Sequence, residues 1–171
     1  MSRTSPRFAD VYEMHVDDVY GFLAHRCSPR ETVEDLTQLT FERALRGWPR
    51  FDPTRASVRT WLFAIARNAL IDEIRKPVRE TPFSPEDTEE LMGAGSSGPE
   101  DTILGLDPHL AAALSRLQQA EREVLALRYG GGLTAREVAE VAGISEANAH
   151  QINSRALRKL RGELADPEVM S

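Results

Sequence analysis

The sequence predicts an all-α protein made of two small helical domains joined by a flexible acidic linker, the C-terminal one containing a helix-turn-helix. Helix-capping signatures recur along the chain, apolar residues between them repeat at three- and four-residue spacing, and the acid is segregated. The 171 residues carry 21 Lys and Arg against 27 Asp and Glu, a formal charge of -6. Residues 1–76 hold 12 basic and 11 acidic side chains, residues 77–108 hold 1 and 8, and residues 109–171 hold 8 and 8. Nearly all the excess acid therefore lies in the middle segment, where Pro, Gly and Ser replace any apolar period. The domains expected are 1–76 and 109–171, with 77–108 an extended, self-repelling tether.

In the first domain, Ser28, Pro29 and Glu31 read as a helix start with Pro at the first helical position. The helix should run to Gly47 with Val33, Leu36, Thr40, Phe41, Ala44 and Leu45 inward. Glu34, Asp35, Gln38 and Glu42 then share an outer face, which taken alone reads as solvated surface. After the loop RFDPTRAS, Ser57 caps VRTWLFAIARNALIDEIRK, and Pro77 ends it. The apolar run from Trp61 to Ala66 marks this helix as central. Arg59, Phe63 and Arg67 nevertheless fall on one stripe with Asn68 alongside. Cations mixed with a ring suit single-stranded nucleic acid, and a core helix with solvated arginines is the plainer alternative.

In the second domain, HLAAALSRLQQAEREVLALRYGGG reads as one or two helices closing on glycines. Leu110, Leu114, Leu117, Val124, Leu125 and Leu127 should form a small core. Thr134 and Glu137 form a capping box for a helix from Ala135, and Gly143 supplies the left-handed position that stops it. Ser145 caps a second helix whose buried face is Ala149, Ile152, Ala156 and Leu160. Asn148, His150, Gln151, Ser154, Arg155, Arg158 and Lys159 must face outward. In helix-turn-helix proteins the N-terminal residues of such a helix reach base edges and later basic residues meet phosphates. The segregated acid explains how a chain of net negative charge can end on this basic helix.

Other classes of function find little support. No glycine-rich phosphate loop, His-Glu-X-X-His helix or nucleophile with a base is present, so no catalytic residue, metal site or cofactor is expected. His150 has no Cys or His near it in sequence. The single Cys27 cannot form an internal disulfide and reads as a small apolar thiol. No signal peptide or membrane-spanning run is found, which predicts a cytoplasmic protein.

The segments VYGFLAHR, VEDLTQLTFERAL, RFDPTRASVRTWLFAIARNALIDEIRK and the terminal helix-turn-helix together resemble bacterial RNA polymerase sigma factors of the extracytoplasmic-function class, which hold only regions two and four. The resemblance implies a promoter-specificity subunit without bond chemistry. Its partners would be core RNA polymerase (clamp helices and flap of the large subunits), promoter DNA and an anti-sigma factor. It implies that Glu34, Asp35, Gln38 and Glu42 dock on polymerase. Arg59, Phe63, Arg67 and Asn68 would melt and read the minus-ten element, Asn68 meeting a flipped base, and the outward residues of the last helix would read the minus-thirty-five element as duplex. Many members carry a TVKSRLHRAR-like recognition helix, where this chain has Ile152 and Asn153 at the positions of their Arg and Leu. The ending QINSRALRKLR instead resembles that of housekeeping sigma factors, which carries over Arg155 and Arg158 and leaves the base preference of Asn148, His150 and Gln151 open. A stand-alone helix-turn-helix regulator is the alternative. It would need only the second domain and has no use for VEDLTQLTF or WLFAIARN.

Overall fold

The computed structural model describes residues 6–76 and 107–165. Most of the expected linker, 77–106, lies outside the described residues. Three helices build the first unit: α1 (Phe8–Ala24), α2 (Arg30–Gly47) and α3 (Val58–Arg75). Four build the second: α4 (Pro108–Ser115), α5 (Gln119–Leu125), α6 (Ala135–Ala142) and α7 (Glu146–Ala165), with a wide turn of helix over Ala126–Gly130 closing α5.

Helix α1 buries Val11, Val19, Phe22, Leu23 and Ala24 against α2 and α3. Helix α2 buries Val33, Leu36, Thr37, Thr40, Phe41 and Ala44. The two threonines are accommodated because each hydroxyl donates to a carbonyl four residues back, Thr37 to Val33 and Thr40 to Leu36, both at 2.7 Å. Its start differs from expectation. Pro29 is itself the cap residue, and neither it nor Ser28 provides a side-chain cap. Leu45 is 55% exposed rather than inward, because it lies about 100° round the helix from Ala44, past the edge of the buried stripe. Ser57 caps α3 by accepting from the Thr60 N–H at 3.1 Å, as its position predicts. An aromatic group ties the α2–α3 connection to α1: Phe8 meets Trp48 edge-on at 5.6 Å, Trp48 stacks on Phe51 at 5.3 Å, and Phe51 leans on Trp61 at 4.9 Å.

In the second unit, Asp107 caps α4 by accepting from the His109 N–H at 2.8 Å. Asp107 and Pro108 therefore belong to a helix start and not to the tether. The LAAALSRLQQAEREVL stretch forms two helices, broken where the Glu121 carboxylate accepts the Gln118 N–H at 3.0 Å. The box at Thr134 and Glu137 is reciprocal, with side-chain bonds of 3.2 and 2.7 Å. Thr134→Ala should cost about 1 kcal/mol in urea denaturation, because one of these two donors loses its acceptor. Gly143 adopts φ 71°, ψ 34°, the left-handed turn a side chain resists. The Ser145 hydroxyl then accepts from the Asn148 N–H at 3.1 Å to open α7.

Two apolar clusters result, and their division differs from expectation. Ala113, Leu117, Leu125, Ala156 and Leu160, with Leu110, Leu114 and Leu157 at the margin, hold α4, α5 and α7 together. Val124, Leu127, Leu133, Val138, Ala139, Val141 and Ala149 instead join Phe22, Leu62 and Phe63 in one cluster shared by both units. The supposed private core of the second unit is thus partly an interface with the first. Among the described residues no helix is long and apolar enough to cross a membrane.

Candidate nucleic-acid interface

Three sets of side chains were singled out by the sequence, and the fold presents them differently. On α2, Glu34, Asp35, Gln38 and Glu42 are all exposed on the face opposite the buried stripe. Arg30 Nε donates to Glu34 at 2.7 Å and Gln38 Nε2 to Glu42 at 3.0 Å, pre-arranging two of the carboxylates.

On α7, Asn148, His150, Gln151, Ser154, Arg155, Arg158 and Lys159 are exposed, while Ala149, Ala156 and Leu160 are buried and Ile152 half-buried. The outward face is the one that the spacing of the apolar residues predicts. Lys159 is already committed, however. Its ammonium lies 2.8 Å from Glu121 Oε1 and 3.0 Å from Oε2, and only the second contact is aligned as a hydrogen bond. Burial works to raise the Glu121 pKa. Hydrogen bonds from Lys159 and the Gln118 N–H, helped by the charges of Lys159 and Arg155, outweigh it and hold the carboxyl below its ordinary value. The His150 ring sits 3.8 Å from Glu146, one turn back.

The α3 stripe is covered by the second unit. Phe63 is fully buried instead of outward, tilted against Phe22 at 5.7 Å and pressed by the backbone of Gly131. Arg67 Nε donates to Glu123 Oε1 at 2.5 Å, with Nη2 3.5 Å from Oε2, in a pair whose side chains are 28% and 16% exposed. Arg59 Nη2 donates to the Gly131 carbonyl at 2.5 Å and lies 3.5 Å from Asp18. Asn68 alone of the four is exposed. The surroundings are strongly cationic. Burial lowers the Arg26 pKa against the opposing pull of Glu123, with Arg122 and Arg67 adding to the fall. His15 is likewise lowered, by burial and by Arg59, with Asp18 opposing.

Sequence reading missed Asp18, Glu123 and the glycine contacts. The one available signal was Gly21 inside the helical VYGFLA pattern, since a glycine within a helix usually has a packing reason. Here a Cβ on Gly21 would stand 2.7 Å from the Gly130 carbonyl oxygen.

Comparison with known proteins places both units. Residues 11–80 match the Sigma-70 region 2 family and residues 113–162 match Sigma-70, region 4. The chain is 33% identical over 152 residues to the ECF RNA polymerase sigma factor SigM of Bacillus subtilis, covering 89% of this chain and 91% of that protein. The chain belongs to the ECF sigma factors. Similarity extends to the ECF RNA polymerase sigma factor SigC of Mycobacterium tuberculosis, 36% identical over 155 residues and covering 88% and 78% of the two chains. The fold matches that of a sigma factor RpoE solved with the anti-sigma factor NepR from Bartonella quintana, with a TM-score of 0.69 at 21% identity, covering 94% and 98%. As a sigma factor, this protein directs core RNA polymerase to promoters and initiates transcription through DNA binding.

Proposed function

We propose that the sigma factor divides its work among the three sets of residues. Residues 1–76 would dock on polymerase and melt the minus-ten element, and residues 109–171 would read the minus-thirty-five element, with 77–108 tethering them. Asp35 and Gln38, flanked by Glu34 and Glu42, meet the clamp helices of the largest polymerase subunit. Asn68 captures a flipped non-template base, while Arg59 and Arg67 hold the strand and Phe63 supplies a ring for stacking. Asn148, His150 and Gln151 face base edges; Ser154, Arg155, Arg158 and Lys159 face the backbone. The observation that carries this reading is the outward exposure of the acidic α2 face and the polar α7 face in a chain matched by both sigma regions.

No bond chemistry belongs to the protein on this reading. Each unit binds DNA weakly, and polymerase holds the two at promoter spacing so that their contacts reinforce one another. It would act in the cytoplasm, where an anti-sigma factor that hides the Asp35 and Arg155 faces would silence it.

The test is transcription from a promoter library by purified core polymerase with and without the protein, every start site being mapped. Protein-dependent starts preceded by one two-part motif are expected. Asp35→Lys should weaken core binding and transcription by about tenfold or more, the equivalent of at least about 1.4 kcal/mol at a charged interface. Asn68→Ala should leave core binding intact and reduce starts by about 5–150-fold, as for loss of one good base contact worth about 1–3 kcal/mol. Unchanged starts, with the protein still binding duplex DNA alone, would favour a stand-alone regulator and remove the roles of Asp35 and Asn68.

A further inference from the structure

We propose that the seam between the two units holds a binding site for a phosphate-class oxyanion, built from Arg26 just beyond α1, Arg67 on α3 and Arg122 on α5. The site uses only the charge of Arg67 and its pairing with Glu123, so it stands apart from the DNA role given to that residue above.

Three elements bring these residues together. Arg26 lies in the turn that closes α1, where its backbone N–H donates to the Leu23 carbonyl at 2.9 Å. Arg67 reaches from α3 to α5, its Nε donating to Glu123 Oε1 at 2.5 Å. Arg122 precedes that carboxylate in the chain. The charges of Glu123, Arg122 and Arg67 all act on Arg26, so the four side chains form one cluster.

Three guanidiniums around one carboxylate leave two positive charges in excess. Cys27 does not offset them, because burial pushes its thiol up to about 11 and leaves it neutral at pH 7. Glu73, which also acts on Cys27, is held by Lys76 at 2.6 Å. Arg26 Nε is buried and has no hydrogen-bond acceptor among the described residues. A buried donor in that state is costly, since arginine keeps its charge and nothing replaces the water it has lost. The cost registers on Arg26 itself. Burial pulls its pKa down, Arg122 and Arg67 add to the fall, and Glu123, the main opposing charge, does not restore it.

A phosphate group carries about 1.5–2 negative charges at neutral pH, which matches the excess. Its oxygens accept donors arriving from several directions, and guanidinium forks suit them. Each of the three arginines is half-buried, so the cluster is reached from solvent at the margin of the seam. Free orthophosphate and the terminal phosphate of a nucleotide share this chemistry. Because the donors come from both units, the ligand should stabilise the packed arrangement that builds its site.

The experiment titrates the full chain with orthophosphate, and separately with a nucleoside triphosphate, against chloride at matched ionic strength. Direct binding is read by equilibrium dialysis and stability from the urea midpoint. The midpoint should rise with orthophosphate and stay level with chloride. Tighter binding of the nucleoside triphosphate would support the site with a nucleotide as its source; equal or weaker binding would support it with free phosphate. Arg26→Leu should weaken orthophosphate binding about tenfold or more, as for one lost charge-assisted hydrogen bond. It should leave the midpoint without phosphate level or higher, since a desolvated charge has been removed. Glu123→Gln keeps an acceptor for Arg67 and removes the competing charge, so orthophosphate should bind more tightly. No effect of orthophosphate beyond that of chloride would overturn the site. A lower midpoint for Arg26→Leu with orthophosphate binding unchanged would make Arg26 structural and overturn it as well.

Discussion

Replacing Phe63 with alanine is expected to lower the unfolding free energy by about 3–5 kcal/mol, read from the urea midpoint at constant slope. The ring is fully buried, its neighbours include Phe22 at 5.7 Å, and Gly131 brings no side chain that could swing into the space left behind. Part of this loss belongs to the contact between the units. A Leu at Gly21 would meet the Gly130 backbone, a Cβ alone standing 2.7 Å from its carbonyl oxygen, so Gly21→Leu should wedge that contact open and partly solvate the ring, and in that background Phe63→Ala should cost less. A coupling of at least about 0.5 kcal/mol between the two substitutions is expected, since contacting groups depart from additivity by that much or more. Strict additivity would mean that the second unit contributes nothing to the burial of this ring.

Glu121→Ala should cost about 2–3 kcal/mol, because the side chain, 2% exposed, accepts both the Gln118 N–H and the Lys159 ammonium. Its loss removes a helix cap and a link between α5 and α7 together. Glu121→Gln, which keeps an acceptor for the cap, should cost less. The effect carries a pH signature. The folded carboxyl titrates below its ordinary value, so its contribution is complete above the unfolded pKa of about 4.3 and disappears as pH falls through the lower folded value. Denaturation curves of the two proteins should therefore be well separated at neutral pH and converge in acid. A separation that persists or widens in acid would contradict the assignment of a stabilised carboxylate.

What could be read in the sequence, and what could not, follows the range of the interactions. The α6–turn–α7 unit was legible in detail because Thr134, Glu137, Gly143 and Ser145 act on neighbours within a few residues. The exposed residues of α2 and α7 were legible because the opposite faces are apolar at helical spacing. Leu45 was misplaced because periodicity gives a stripe its direction and not its width. Phe63 and Arg67 were placed on the right stripe, but their surroundings come from Gly131 and Glu123, the latter 56 residues beyond Arg67, and no local pattern reports a partner so distant. The same limit explains the apolar residues of α5 and α6. Their spacing shows that they are buried, and cannot show that they are buried against another part of the chain.

The cover over α3 has one more consequence, set by the order of synthesis. Helix α3 ends at Arg75 and the turn that closes over it ends at Gly130, about 55 residues later. At about 5–20 residues per second a ribosome needs about 3–11 s to make that stretch. Through that interval the nascent helices must keep the Phe63 ring and two arginines without their eventual neighbours, in a cell crowded with polyanions. Each new molecule therefore passes first through an uncovered state that the finished structure does not show.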